Sequence, residues 1–272
     1  MRNSALALCA VMGLASHRIE AQLLVDPLEV TIITAGGNRA VGSFLATNTS
    51  DVPVQATITR ADWDRIENGD NRFLPAGSTG FSCGSSLSVS PASIRVDPHT
   101  SRVIRLSVDS VANLKKECWD IVFVEEVPPR TTLKGNSIRY LFRTGVKVYV
   151  APSGLSRDAA VEDMAVETVP LVASASSTPP SGPRPTKQQI AVRFHNTGGM
   201  HLVAKGHLEF RRLDNTLAMQ VPIDEFPTLP GATRKVMIDV PTGLATGDYV
   251  VLALIDFGGA ELVAGQIDYQ AK

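Results

Sequence analysis

"NSIRYLFRTGVKVYVAP", residues 136–152, alternates its side chains almost without a break. Ile138, Tyr140, Phe142, Val146, Val148 and Val150 share one parity, with Thr144 the only interruption. The other parity carries Arg139, Leu141, Arg143, Gly145, Lys147 and Tyr149. A period of two is the pattern of a strand with one buried face. Strands in globular domains usually run about 5–6 residues, and this one has room for roughly twice that. A small sandwich covers only part of so long a strand. One end is therefore expected to overhang and to offer apolar side chains to another molecule. Alternation alone is also met if the same side chains face their own core, as strand residues mostly do.

Upstream, strand-like runs follow one another from Leu23: "LLVDPLEVTIITA", "RAVGSFLATN", "VPVQATITRADW", "SLSVSPASIRV", "SRVIRLSVD" and "CWDIVFVEEV". With the run at 136–152 they make seven strands in about 130 residues, the plan of an immunoglobulin-like sandwich. "APSGLSRDAA" then breaks the pattern as a linker. A second series starts near Val161 and includes "QQIAVRFHN", "HLVAKGHLEFRRL", "LAMQVPI", "RKVMIDV", "DYVVLALIDF" and "ELVAGQIDYQ". Two echoes link the halves: "ATNTSD" with "FHNTGG", and "PHTSRVIRL" with "PGATRKVMI". The Ser/Pro-rich stretch "ASASSTPPSGPRPTKQ" cannot build a packed core and is expected to be a solvated loop inside the second sandwich.

At 272 residues the chain is long enough for two domains, each with its own core. A formal charge of −1 gives no footing for nucleic-acid binding. "MRNSALALCAVMGLASHRIEAQ" reads as a secretory signal: Arg2, a short apolar core, then a small-residue cut after Ala21. The expected division is residues 1–21 as signal peptide, 22–152 as the first sandwich and 153–272 as the second. No other segment is long and apolar enough to cross a membrane, so no membrane insertion is expected. Beyond the signal only Cys83 and Cys118 remain. In an oxidising compartment they are expected to form a disulfide, with two buried free thiols as the alternative.

The stretch "ECWDIVFVEEVPPR", residues 117–130, resembles the periplasmic chaperones of the chaperone–usher pilus pathway, the PapD-like family. Glu117, the alternating strand through Val127 and the pair Pro128-Pro129 match that family's pattern. Phe123 departs from it, standing where the family prefers Asn or Cys. "PHTSRVIRLS" with Arg105, "IDFGG" with Asp256, and "RTGVKVYVAP" with Lys147 follow in the family's order across both halves.

The resemblance implies an all-β chain of two immunoglobulin-like sandwiches set as a boomerang. It implies a periplasmic protein that binds incomplete pilus or fimbrial subunits by lending them a strand, then delivers them to an outer-membrane usher. In that plan Ile138, Tyr140 and Phe142 are the donated residues, a form of β-augmentation. Lys147 anchors the subunit's terminal carboxylate, and Arg105, Glu117 and Asp256 form ion pairs at the interdomain hinge. The family places an arginine on its first strand beside the lysine. Here "LLVDPLEVTI" puts Glu29 there, where it would repel a guest carboxylate or occupy Lys147; Arg39, Arg139 and Arg143 are the candidate substitutes.

Catalytic motifs are missing: the sequence has no G-x-S-x-G, no Walker loop and no H-E-x-x-H. "AGGNRAVG" precedes a strand rather than a helix and reads as a hairpin turn. His195, His201 and His207 recur at six-residue spacing, but Gly198-Gly199 bends the chain between the first two. They are expected at the surface or in turns, not on a metal. The sequence thus reads as a non-enzymatic exported protein without cofactor or metal. The rival reading is an exported structural or adhesive protein that keeps the fold without the chaperone role, with Glu29 its best support.

Overall fold

The two prolines within the first and fourth strand-like runs decide how the first sandwich closes. In the computed structural model, which describes residues 22–34, 39–109, 116–128, 141–171 and 185–272, each of these runs is two strands in two different sheets. The first run divides at Pro27 into β1 (Leu23–Asp26) and β2 (Glu29–Thr34). The fourth divides at Pro91 into β6 (Leu87–Ser90) and β7 (Ser93–Val96). Proline lacks the N–H that a continuous ladder needs, so the chain changes sheets there.

The remaining strands of the first half are β3 (Arg39–Asn48), β4 (Val54–Arg65), β5 (Asn71–Leu74), β8 (Ser101–Asp109), β9 (Cys118–Glu126) and β10 (Arg143–Pro152). One sheet has the order β1-β3-β8-β6; the other runs β2-β10-β9-β4-β5, with β7 also on β4. Among the described residues the first half thus holds ten strands where seven runs were read, because two runs are divided and β5 is too short to show periodicity. Phe44, Ile104, Leu106, Val122, Val146, Val148 and Val150 lie in the core between the two sheets. Cys83 and Cys118 are joined by a disulfide.

β9 is buried on both faces. Cys118, Val122 and Val124 face the sandwich core. Trp119, Ile121 and Phe123 join Trp63 and Tyr149 in a second cluster, which also takes in Leu229 from the other half. The sheet containing β9 is therefore covered on both sides, and its aromatic layer lies where the second half packs against the first.

The second half comprises β11 (Ala159–Pro170), β12 (Thr186–Asn196), β13 (Leu202–Arg212), β14 (Leu217–Thr228), β15 (Thr233–Asp239), β16 (Gly247–Asp256) and β17 (Val263–Ala271). They form sheets β11-β12-β15 and β14-β13-β16-β17 around a core of Ile190, Phe194, Leu208, Phe210, Val251 and Ile255. Residues 172–184 connect two antiparallel neighbours, β11 and β12, whose register closes at Pro170↔Thr186. Most of the Pro/Ser stretch lies outside the described residues. The chain is all-β with two β-sandwiches.

The echoes between the halves have a structural counterpart. Asn48 and Asn196 end β3 and β12, and both are fully buried. Asn48 Nδ2 donates to Val52 O at 2.7 Å and Val96 O at 3.0 Å, and its Oδ1 accepts from Ser50 N at 2.9 Å. Asn196 Nδ2 donates to Met200 O at 2.9 Å and Thr228 O at 3.2 Å, and its Oδ1 accepts from Gly198 N at 3.0 Å. Both side chains meet the carbonyl four residues on and the amide two residues on. The second echo supplies the partner strands, since β8 pairs β3 and β15 pairs β12.

Candidate functional site

β10 is central for part of its length and open for the rest. Its antiparallel register with β9 spans Arg143↔Glu125 to Val150↔Cys118. Its parallel register with β2 begins only at Lys147↔Glu29 and continues to Pro152↔Thr34. Among the described residues, Arg143–Val146 therefore have a strand partner on one side only. The even-numbered residues Val146, Val148 and Val150 are fully buried in their own core. Phe142 is half-buried, and its carbonyl accepts from Glu126 N at 3.1 Å. Ile138 and Tyr140 lie outside the described residues. The long alternating run is thus committed to its own sandwich from Val146 to Val150.

Lys147 stands where the open edge meets the end of β2. Its backbone N–H donates to Leu28 O at 2.9 Å, and Nζ lies 3.7 Å from Glu29 Oε2. The side chain is 25% exposed and extends over the Trp63 ring, 5.5 Å from its centroid. The Arg65 guanidinium lies 5.6 Å from the same centroid. Burial, and then the Arg65 charge, hold Lys147 below the ordinary lysine range, with Glu29 opposing. Burial lowers Arg65 as well, opposed by Tyr149 and Glu29. Arg65 Nε and Nη2 each donate to Asn71 Oδ1 at 3.1 Å, and Nη1 donates to Pro227 O at 3.2 Å. None of these acceptors is a carboxylate, and no described residue forms an ion pair with Arg65. Beneath both cations the Trp63 Nε1 donor is buried with no acceptor among the described residues.

Arg65 was not among the substitutes that the sequence offered for the missing arginine. Of those, Arg39 pairs with Asp109 at 3.6 Å on the other sheet. Arg143 lies over Phe123, its Cζ 3.7 Å from the ring centroid, and 3.6 Å from Glu125. Arg139 is outside the described residues. The signal was two residues past Trp63: extending that strand by one more alternation reaches Arg65.

The hinge differs from expectation. Glu117, whose side chain is 0% exposed, binds His201 rather than Arg105 or Asp256. Its Oε1 lies 2.7 Å from His201 Nδ1, and its Oε2 accepts the His201 backbone N–H. The His201 ring stacks on Tyr149 with centroids 3.8 Å apart, and its Nε2 lies 3.9 Å from Glu29 Oε1. Arg105 is instead exposed on β8 opposite Ser43 and Ser90, in the sheet that does not contain β9. Asp256 caps its own turn, accepting from Gly258 N at 2.9 Å. No ion pair joins Arg105, Glu117 and Asp256 to one another among the described residues, and Glu117 instead bonds across the two halves to His201.

A second contact braces the halves. Glu67, in the β4–β5 turn, pairs with Arg193; its carbonyl accepts from Lys235 N at 2.8 Å and Arg234 Nη1 at 2.7 Å. The other two histidines of the six-residue series go elsewhere: His195 lies 2.7 Å from Glu162 and His207 3.4 Å from Glu209. No metal-binding group of His, Cys, Asp or Glu occurs among the described residues.

Residues 28–156 match the family described as pili and flagellar-assembly chaperone, PapD N-terminal domain. No curated protein sequence matches the chain. Among solved structures, the class 5 fimbriae chaperone CfaA is similar over 90% of this chain and 98% of its own, at 14% identity and a TM-score of 0.53. A chain from a study of the chaperone–tip adhesin complex in CFA/I fimbriae biogenesis is similar over 92% of this chain and 100% of its own. Its identity is 16% and its TM-score 0.53. At such identities these likenesses speak for the fold.

Proposed function

The chain belongs, through residues 28–156, to the PapD-type family of pilus-assembly chaperones, and we propose that it holds incomplete pilus subunits by lending them the strand that leads into β10. The family is non-enzymatic and periplasmic. The observation that carries the reading is the half-open edge of β10: among the described residues Arg143–Val146 pair only with β9, and in the sequence Phe142, Tyr140 and Ile138 continue the alternation that precedes that edge. A guest strand paired along this edge would place its open core against these three side chains, with main-chain bonds giving affinity and alternate pockets selectivity.

Lys147 and Arg65 would together hold the guest's terminal carboxylate. Supporting this, both cations lie over Trp63, and Arg65 has no carboxylate of its own among the described residues. Glu117 and His201 would fix the angle between the sandwiches, in the role first assigned to Arg105, Glu117 and Asp256. Delivery to an outer-membrane usher, an export signal in residues 1–21 and a domain boundary at 152/153 complete the reading.

The test is capture from the periplasm of the native host with tagged protein, comparing wild type with a variant carrying Ile138→Ser, Tyr140→Ser and Phe142→Ser. A small β-rich subunit retained by wild type and lost by the variant, with the variant's melting temperature unchanged, supports the lent strand. Equal capture by both would mean that these side chains serve their own core. The rival structural role draws on the Glu29–Lys147 pair, which fills the anchor from within.

A further inference from the structure

Two cations and one carboxylate converge at the foot of the open edge, and the carboxylate has two possible partners. Glu29 Oε2 lies 3.7 Å from Lys147 Nζ, well beyond the roughly 2.7–2.9 Å of a charge-assisted hydrogen bond. Its other oxygen lies 3.9 Å from His201 Nε2. Neither contact is a close one, and the Glu29 side chain is 43% exposed. Among the described residues Arg65 pairs with no carboxylate, and its half-buried guanidinium donates to an amide oxygen and a backbone carbonyl. Among the described residues the two cations thus have one loosely held carboxylate, Glu29, between them, the Glu117 carboxylate being taken by His201.

We propose that Glu29 is an internal counterion that a guest carboxylate displaces from Lys147 toward His201, so that this residue sets how tightly the site holds a chain terminus. This rests on the subunit-holding reading above and goes further by naming what competes with the guest. A free carboxylate reaching Lys147 and Arg65 can bridge them with short bonds that Glu29 does not make, and two oriented cations fix its register as well as its charge. Glu29 opposes entry because it is tethered beside Lys147 at high local concentration. Once displaced it has His201 within reach. That histidine is held in place by Glu117 at its Nδ1 and by Tyr149 against its face, while Lys147 lies beside Glu29 and Arg65 over the same Trp63 ring.

The test uses the full exported chain with ¹⁵N label and a defined probe, N-acetyl-trialanine with a free carboxylate, against the same peptide as its C-terminal amide. The chain has two tryptophans, and Trp119 Nε1 already donates to Trp63 O at 2.8 Å. The other indole N–H signal, from Trp63, therefore reports on the cleft. Glu29→Gln keeps the side chain's shape at an exposed position, and its melting temperature confirms folding. The expected result is that Glu29→Gln binds the free acid at least about tenfold tighter than wild type and ignores the amide. Adding Arg65→Ala to that variant should abolish the gain. Equal affinity of wild type and Glu29→Gln for the acid, equal binding of acid and amide, or no response of Glu29→Gln up to about 10 mM peptide would each overturn the proposal. Failure is separable from that of the lent strand: periplasmic capture depends on Ile138, Tyr140 and Phe142, whereas the peptide titration does not.

Discussion

The His201 ring from the second sandwich lies nearly parallel to Tyr149 of the first, with 3.8 Å between ring centroids and 16° between planes. The Glu117 carboxylate holds the same residue by its ring and by its backbone N–H. Glu117 precedes β9 and Tyr149 lies on β10, so one residue of the second half is fastened to two adjacent strands of the first.

Removing the carboxylate should therefore loosen the whole interface. Glu117→Ala leaves a buried imidazole and a buried N–H without their acceptor, and on the order of 3 kcal/mol of stability should be lost. Denaturant unfolding measures the loss, and small-angle X-ray scattering should show a wider spread of interdomain angles. Arg105→Ala and Asp256→Ala should leave both measurements near wild type.

The brace at Glu67 should act more weakly. Gly69 has φ +99°, and a Cβ there would stand 2.2 Å from Arg234 Nη2. Gly69→Ala combines backbone strain with displacement of a flexible guanidinium, so a loss of about 1–2 kcal/mol is expected. Calorimetry on Gly69→Ala and Arg193→Ala would separate the strain from the lost ion pair, because only the first changes the turn.

Reducing the disulfide should destabilise the first sandwich. Cys83 and Cys118 close a loop across 35 positions of sequence, for which loop-closure entropy gives about 3–4 kcal/mol. Melting with and without reductant tests it, and Cys83→Ala with Cys118→Ala should reproduce the reduced value.

Acid should release the loop after β5. Asp62 is buried; its Oδ1 accepts from Gly77 N at 2.9 Å, and its Oδ2 accepts from Thr79 N at 2.8 Å and Thr79 Oγ1 at 2.9 Å. Burial alone would raise its pKa, but these bonds outweigh it and hold the carboxyl below the ordinary aspartate range. A folded pKa below the unfolded one stabilises the fold above the unfolded value, and that stability is lost as pH falls through the folded one. Asp62→Asn should flatten this acid-side decline and cost about 1–3 kcal/mol at neutral pH, read from denaturant unfolding across pH.

Alternation and turn residues were enough for the sheet-forming runs, because each side of a strand answers to one environment. β3 and β8 coincide with their runs. The sheet changes at Pro27 and Pro91 were not legible as such, since a run of apolar residues does not reveal which sheet receives it. The Asn48 and Asn196 turns were visible as an echo between halves because both chain reversals need the same side-chain bonds. The site was less legible. Lys147 and Glu29 follow from one register, and their pairing was among the outcomes the sequence allowed. Arg65, His201 and the Glu117 partnership arise from the packing of one sandwich on another, and no local pattern records that. The Gly198-Gly199 bend between the histidines suggested turns or surface, yet the His201 side chain is 14% exposed, against Tyr149 and Glu117.

The end of β2 also works as a stop. A guest strand entering along the side of β10 away from β9 would find no strand partner among the described residues as far as Val146, then meet the Leu28 carbonyl already bonded to Lys147. Beyond that position the edge is taken by the protein's own chain. On the proposed reading, the length of a guest strand would thus be capped by collision as well as by charge, and a guest one residue too long would be pushed back by the backbone. On that reading the fold itself would act as a ruler, with its zero mark at Lys147.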